Sequence, residues 1–164
     1  MKVIIAGGRK FDDYLFLEER CDHLLANSTD IEIISGAAPI GNTPFGKLLG
    51  ADQLGQFYAL QRGYPVTTFP AQWEEFSRAA GPIRNNQMAK HSDALIAFWN
   101  GFSTGTENMI VAARKYGLRV KVCRYTETNH PGFGDVQCQD CGARLTWTDG
   151  KAYAVPCPHK CTML

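Results

Sequence analysis

The sequence lacks any apolar run approaching the ~20 residues that cross a bilayer, so no membrane partner is expected. It also lacks an excess of charge: 17 Lys and Arg against 16 Asp and Glu leave a net charge of +1. A chain this neutral has no overall field to attract nucleic acid, which argues against it as a partner. The phosphate-binding consensus ending in Gly-Lys-Ser/Thr is missing, and "GGRKF" (7–11) does not fit the dinucleotide pattern G-x-G-x-x-G. Motor-type ATP hydrolysis and ordinary dehydrogenase chemistry are therefore disfavoured. The opening "MKVIIA" is too short for a signal peptide, so a cytoplasmic location is expected.

What is present is a chain of 164 residues, 45% hydrophobic, enough for one domain with a real core plus a small appendage. Short β-branched or apolar runs at 3–5, 31–35, 65–71, 94–99 and 118–124 read as strands. Between them, residues 13–26 carry a helical apolar stripe (Tyr14, Leu17, Cys21, Leu24, Leu25). A second helix is expected with Asp52 as N-cap and Gly63 as its stop. A third should start near Arg84, and a fourth should run from the loop 100–106 to Tyr116. Five alternations of strand and helix predict a Rossmann-like, doubly wound parallel α/β sheet.

In such a sheet the loops after the strands gather at one edge, where ligands bind. Here they are "GGRKF", "SGAAP" and "NGFSTGT". The last runs into a helix whose first N–H groups can face an anion. Ser103, Thr104 and Thr106 add hydroxyl donors there, and Gly105 allows close backbone approach. Arg84 offers a planar fork to phosphate oxygens, and Asp52 an acceptor for ribose hydroxyls. Trp73 and Trp99 are candidates to stack on a base, Trp99 equally a core residue. Cys21 and Cys123 read as plain core residues, and the isolated His23 and His91 are given no role.

The stretch "GPIRNNQMAKHSDALIAFWNGFSTGTENMI" resembles the Smf/DprA–LOG (SLOG) superfamily of Rossmann-like proteins. With "KVIIAGGRKFDDY", "ISGA", "GADQLGQFYALQRGYPVTTFPAQW" and "GLRVKV" in order, the likeness is to its YspA-like branch and covers about residues 1–124. The resemblance implies a nucleotide or nucleotide-derived ligand, held by Gly7, Gly8 and Arg9, by Ser35 and Gly36, and by Asp52. Arg84, Asn85, Gly105 and Thr106 complete that set. It further implies a sensor or sponge for an ADP-ribose- or NAD-derived signal in bacterial or phage defence, and at least a dimer.

Two other functions follow from other branches: a nucleoside-monophosphate phosphoribohydrolase (an N-glycosidase), or a single-strand-binding protein. The phosphoribohydrolase motif is PGGxGTxxE, and this sequence carries Asn108 at the glutamate position, with Glu107 one residue early. An amide takes up no proton at neutral pH, so binding without cleavage is the preferred expectation. Glu107 and Arg84 stand as the catalytic candidates. The branch usually lacks "PIGNTPFGKLL" (39–49), an insertion that reads as a lid, an oligomer contact or an ornament of no consequence.

After a polar linker at 126–137 comes a tail, 138–164, with "CQDC" and "CPHKC" flanking a hairpin-sized segment. That spacing predicts a zinc-ribbon-like appendage with structural zinc on Cys138, Cys141, Cys157 and Cys161, His159 being an alternative ligand. Disulfides or free thiols are the other options. "TWTDGKAYAV" reads as two short strands around Asp149-Gly150. The expected organisation is thus a ligand-binding domain at 1–125, the linker, and the tail.

Overall fold

Residues 3–6, Val-Ile-Ile-Ala, are all buried, and their alternation sets the two faces of the sheet. Val3 and Ile5 enter one core cluster while Ile4 and Ala6 enter another, as period-two side-chain geometry requires. The computed structural model describes residues 1–36 and 50–126, and beyond them the backbone of three short strands.

Five strands form the main sheet: β1 (Lys2–Gly7), β2 (Glu32–Ser35), β3 (Val66–Thr68), β4 (Ala94–Trp99) and β5 (Arg119–Arg124). Their order is β3-β2-β1-β4-β5, all pairs parallel, with Ile4 opposite both Ile34 and Leu95. The connecting helices are α1 (Tyr14–Leu25), α2 (Gly50–Arg62), α3 (Trp73–Phe76), α4 (Ala80–Lys90) and α5 (Thr104–Lys115). Leu17, Cys21 and Leu24 of α1 and Leu54 and Tyr58 of α2 pack with Val3, Ile5, Ile33 and Phe98. Met88 and Ala89 of α4 and Met109 and Ile110 of α5 pack on the other face, with Ile4, Ile34 and Leu95. This is the doubly wound, Rossmann-like parallel α/β sheet that the alternation of elements predicts. Its chain reverses direction across the sheet between the neighbours β1 and β4, so a crevice opens beyond their C-terminal ends.

Several boundaries differ from expectation. Asp13 caps α1 by accepting from the Phe16 N–H at 3.0 Å. Asp52 is not a cap: α2 begins at Gly50, which takes a positive φ of 77°, and Asp52 lies in the first turn. The helix expected near Arg84 starts at Ala80, because Pro82 sits in the first turn, where its missing N–H costs nothing. Strand β3 is shorter than 65–71, stopping before Pro70 at the sheet edge.

The remaining strands, β6 (Val136–Gln137), β7 (Arg144–Thr148) and β8 (Lys151–Tyr153), form an antiparallel set, with Thr148 opposite Lys151. Strands thus flank 149–150 as the sequence predicts. The expectation of structural zinc, and with it the zinc-ribbon label, is corrected. Among the described residues no group of three or more His, Cys, Asp or Glu could hold a metal ion. The two cysteines there, Cys21 and Cys123, are buried in the apolar core, and burial raises the Cys21 thiol well above its ordinary pKa, away from the thiolate a metal needs. Cys138, Cys141, Cys157, Cys161 and His159 lie outside the described residues, as does the insertion 39–49. No helix among the described residues is long and apolar enough to cross a membrane.

Candidate functional site

The crevice beyond β1 and β4 is a cleft of about 720 Å³. Its floor comes from the end of β1, where Gly7 and Gly8 make a turn that needs the absence of side chains. A Cβ on Gly7 would overlap the Phe98 carbonyl oxygen and stand 2.8 Å from Ala51 Cβ; one on Gly8 would overlap the Tyr125 hydroxyl. The Gly8 carbonyl accepts from the Phe11 N–H at 3.1 Å and the Ala51 N–H at 3.4 Å, tying this turn to the start of α2.

One wall is the segment 100–109. Asn100 Oδ1 accepts from the Phe102 and Ser103 N–H groups, both at 2.9 Å, which folds the loop back on itself. Trp99 fixes its far side: the indole N–H donates to the Ser103 carbonyl at 3.1 Å, and the Arg124 guanidinium stacks 4.2 Å from the ring. Ser103 is the N-cap of α5, its Oγ accepting from the Thr106 N–H at 3.4 Å and meeting the Thr106 hydroxyl at 2.9 Å. Helix α5 therefore starts at Thr104, and Gly105 and Thr106 stand in its first turn rather than in a loop. Thr106 is buried and engaged with Ser103, while a Cβ on Gly105 would meet nothing within 4 Å.

The opposite wall belongs to α4 and its approach. Arg84, half-buried, donates through Nη1 to the Gly36 carbonyl and through Nε to Asn85 Oδ1 at 3.0 Å. Burial presses the Arg84 pKa down; Asp52 opposes this and the charge of Arg9 adds to it. Burial likewise raises the Asp52 carboxyl above its ordinary value, against Arg84, the Gly36 N–H and Arg9. Asn85, buried at 6% exposure, donates to Asn108 Oδ1 at 2.9 Å and to the Gly105 carbonyl at 3.4 Å, linking α4 to α5.

Of the residues expected at the site, Gly7, Gly8, Arg9, Asp52, Arg84 and Asn85 line the cleft, as do Ser103, Thr104, Gly105 and Thr106. Ser35 does not: it is fully buried beneath, donating to the Asp52 carbonyl at 3.2 Å and accepting from Gln56 at 3.0 Å. Gly36 takes part through its contact with Arg84. Glu107 is exposed and outside the lining, whereas Asn108 is part of it. Lys10, Arg78 and Phe102 also line the cleft and were not anticipated. Phe102 is 87% exposed beside the α5 turn, and Trp73 is 49% exposed with Arg9 at 5.9 Å from its ring. A phenylalanine set between Gly101 and Ser103 was the available signal; for Lys10 and Arg78 the sequence offers none beyond charge. Among the described residues four cations (Arg9, Lys10, Arg78, Arg84) and one carboxylate (Asp52) line the cleft.

A parallel α/β sheet with a cation-lined cleft at its switch point defines the class: a Rossmann-like fold. Residues 1–76 match the YAcAr family, described as the YspA, cpYpsA-related SLOG family. The likeness is to that family over those residues, which run from β1 to the end of α3. Nothing among curated proteins or solved structures matches the chain.

Proposed function

We propose that the chain binds an anionic nucleotide or nucleotide-derived ligand in this cleft and releases it unchanged. The observation that carries the reading is the imbalance of charge: among the described residues, four cations against one carboxylate, around a cleft with two exposed aromatic rings at its lining. Phosphate oxygens satisfy the cations, bases stack on rings such as Trp73 and Phe102, and Asp52 supplies an acceptor for ribose hydroxyls. The family match over 1–76 supports the same direction, since the resemblance implies ligands of this kind. An ADP-ribose- or NAD-derived signal, a sensor or sponge role in defence signalling and at least a dimer in solution belong to the same proposal.

Cleavage is the weaker reading because the lining holds an amide, Asn108, where the hydrolytic branch needs a carboxylate, and Glu107 lies outside it. Asp52, whose pKa is raised by burial, is the group a hydrolase reading would have to use. Incubation with nucleoside monophosphates, NAD and ADP-ribose, followed by chromatography, tests both. The expected result is tight binding with the ligand recovered intact. Multiple turnover with released base, lost in Asp52→Asn, would replace this proposal by an enzyme.

A further inference from the structure

The polarity of the wall between α4 and α5 is fixed by chemistry. A guanidinium carries only N–H donors, so the Arg84 Nε contact at 3.0 Å turns the Asn85 carbonyl oxygen toward Arg84. The Asn85 NH2 must then face the other way, where it meets Asn108 at 2.9 Å and the Gly105 carbonyl at 3.4 Å. A backbone carbonyl only accepts, so Gly105 independently demands the same orientation. Asn85 is 6% exposed, and at that burial a reversed amide would set its oxygen against another oxygen with no water to relieve it. The amide of Asn108 is thereby oriented too. Its oxygen is taken by Asn85, and its NH2 is the group left for the cleft that Asn108 lines.

We infer that Asn108 is a specificity residue, donating through Nδ2 to an acceptor oxygen of the bound ligand. This rests on the nucleotide-binding reading and assigns one donor within it to the phosphate. Beside Arg84, the acceptor that fits is a phosphate oxygen, which carries charge and no proton of its own. A nucleoside has no such group to present. The relay Arg84–Asn85–Asn108 thus couples the cation to the neutral donor, and a residue at 108 that could only accept would repel the same phosphate.

Calorimetric titration of the full chain with adenosine 5′-monophosphate, ADP-ribose and adenosine tests this in wild type, Asn108→Asp and Asn108→Ala. Aspartate still accepts from Asn85 but sets an anionic oxygen where the donor was. Wild type is expected to bind a phosphorylated probe more tightly than adenosine. Asn108→Asp should lose roughly 10- to 100-fold for that probe, and Asn108→Ala roughly 3- to 10-fold, each losing less for adenosine. Should the aspartate variant fail to melt cooperatively, the alanine variant decides alone. Wild-type affinity for the phosphorylated probe in the folded variants overturns the inference and leaves the nucleotide reading standing. Failure of wild type to bind any of the probes removes that reading, and the inference with it.

Discussion

The cleft is bounded by two glycine turns that read alike in sequence and differ in structure. At the end of β1, the space a side chain would occupy at Gly7 and Gly8 is already filled by Phe98, Ala51 and Tyr125. In the first turn of α5, the corresponding space at Gly105 is empty. Gly7 is required by the fold itself, because backbone and Cβ atoms stand in the way, whereas at Gly8 only the end of the Tyr125 side chain does. Gly105 is not required by any neighbour and leaves its side of the cleft open. A glycine-rich loop is therefore weak evidence for a ligand until the room around it is known. The family match over 1–76 includes the packed turn and stops before the open one.

The largest effect should come from the cation facing the open turn. Arg84→Ala is expected to weaken binding of a phosphorylated nucleotide by roughly 30- to 1,000-fold, or about 2–4 kcal/mol, measured by titration calorimetry. Next, the two turns should respond oppositely to one added methyl group. Gly7→Ala should lower stability by about 1–3 kcal/mol in denaturant unfolding, since backbone and Cβ atoms must shift. Gly105→Ala should leave stability unchanged or raise it by up to about 1 kcal/mol, because alanine favours the helix, while Gly105→Val should weaken ligand binding. Equal destabilisation at both positions would erase the distinction.

Asp52 gives a smaller, pH-dependent effect. Its folded pKa is raised above the ordinary 3.8 by burial, so the native state keeps a proton that the unfolded chain has lost. The stability this contributes is present at low pH and fades as pH rises through the folded value. Asp52→Asn should therefore gain on wild type as pH climbs above 3.8, and then hold a constant difference. Unfolding midpoints across a pH series check the sign. The smallest effect is expected far from both turns: Arg62, bridging Glu18 at 3.0 Å and Asp22 at 2.5 Å on the surface, should change stability by less than about 1 kcal/mol on replacement by alanine.

Much of the fold was legible because strand runs such as "ALIAFW" and amphipathic stretches such as 13–26 carry their periodicity openly. The short α3 was not, since "WEEF" buries nothing and so has no apolar pattern to read. Gly81 and Pro82 concealed the true start of α4, both being breakers except in a first turn. That the loops of distinctive composition would meet at one cleft was legible from the order of elements. Ser35 was misplaced because the sequence does not say whether a hydroxyl at a strand end points into a cleft or beneath it. Lys10 and Arg78 reach the cleft through tertiary placement alone. The relay through Asn85 was also out of reach, because it depends on two helices meeting.

The most direct test is mass spectrometry of small molecules released by denaturation from purified wild type and Arg84→Ala. A phosphorylated nucleotide-derived compound released from wild type, and strongly depleted in folded Arg84→Ala, is the predicted result. Wild type that releases none and binds none on titration, or a variant that retains the compound equally, would contradict it.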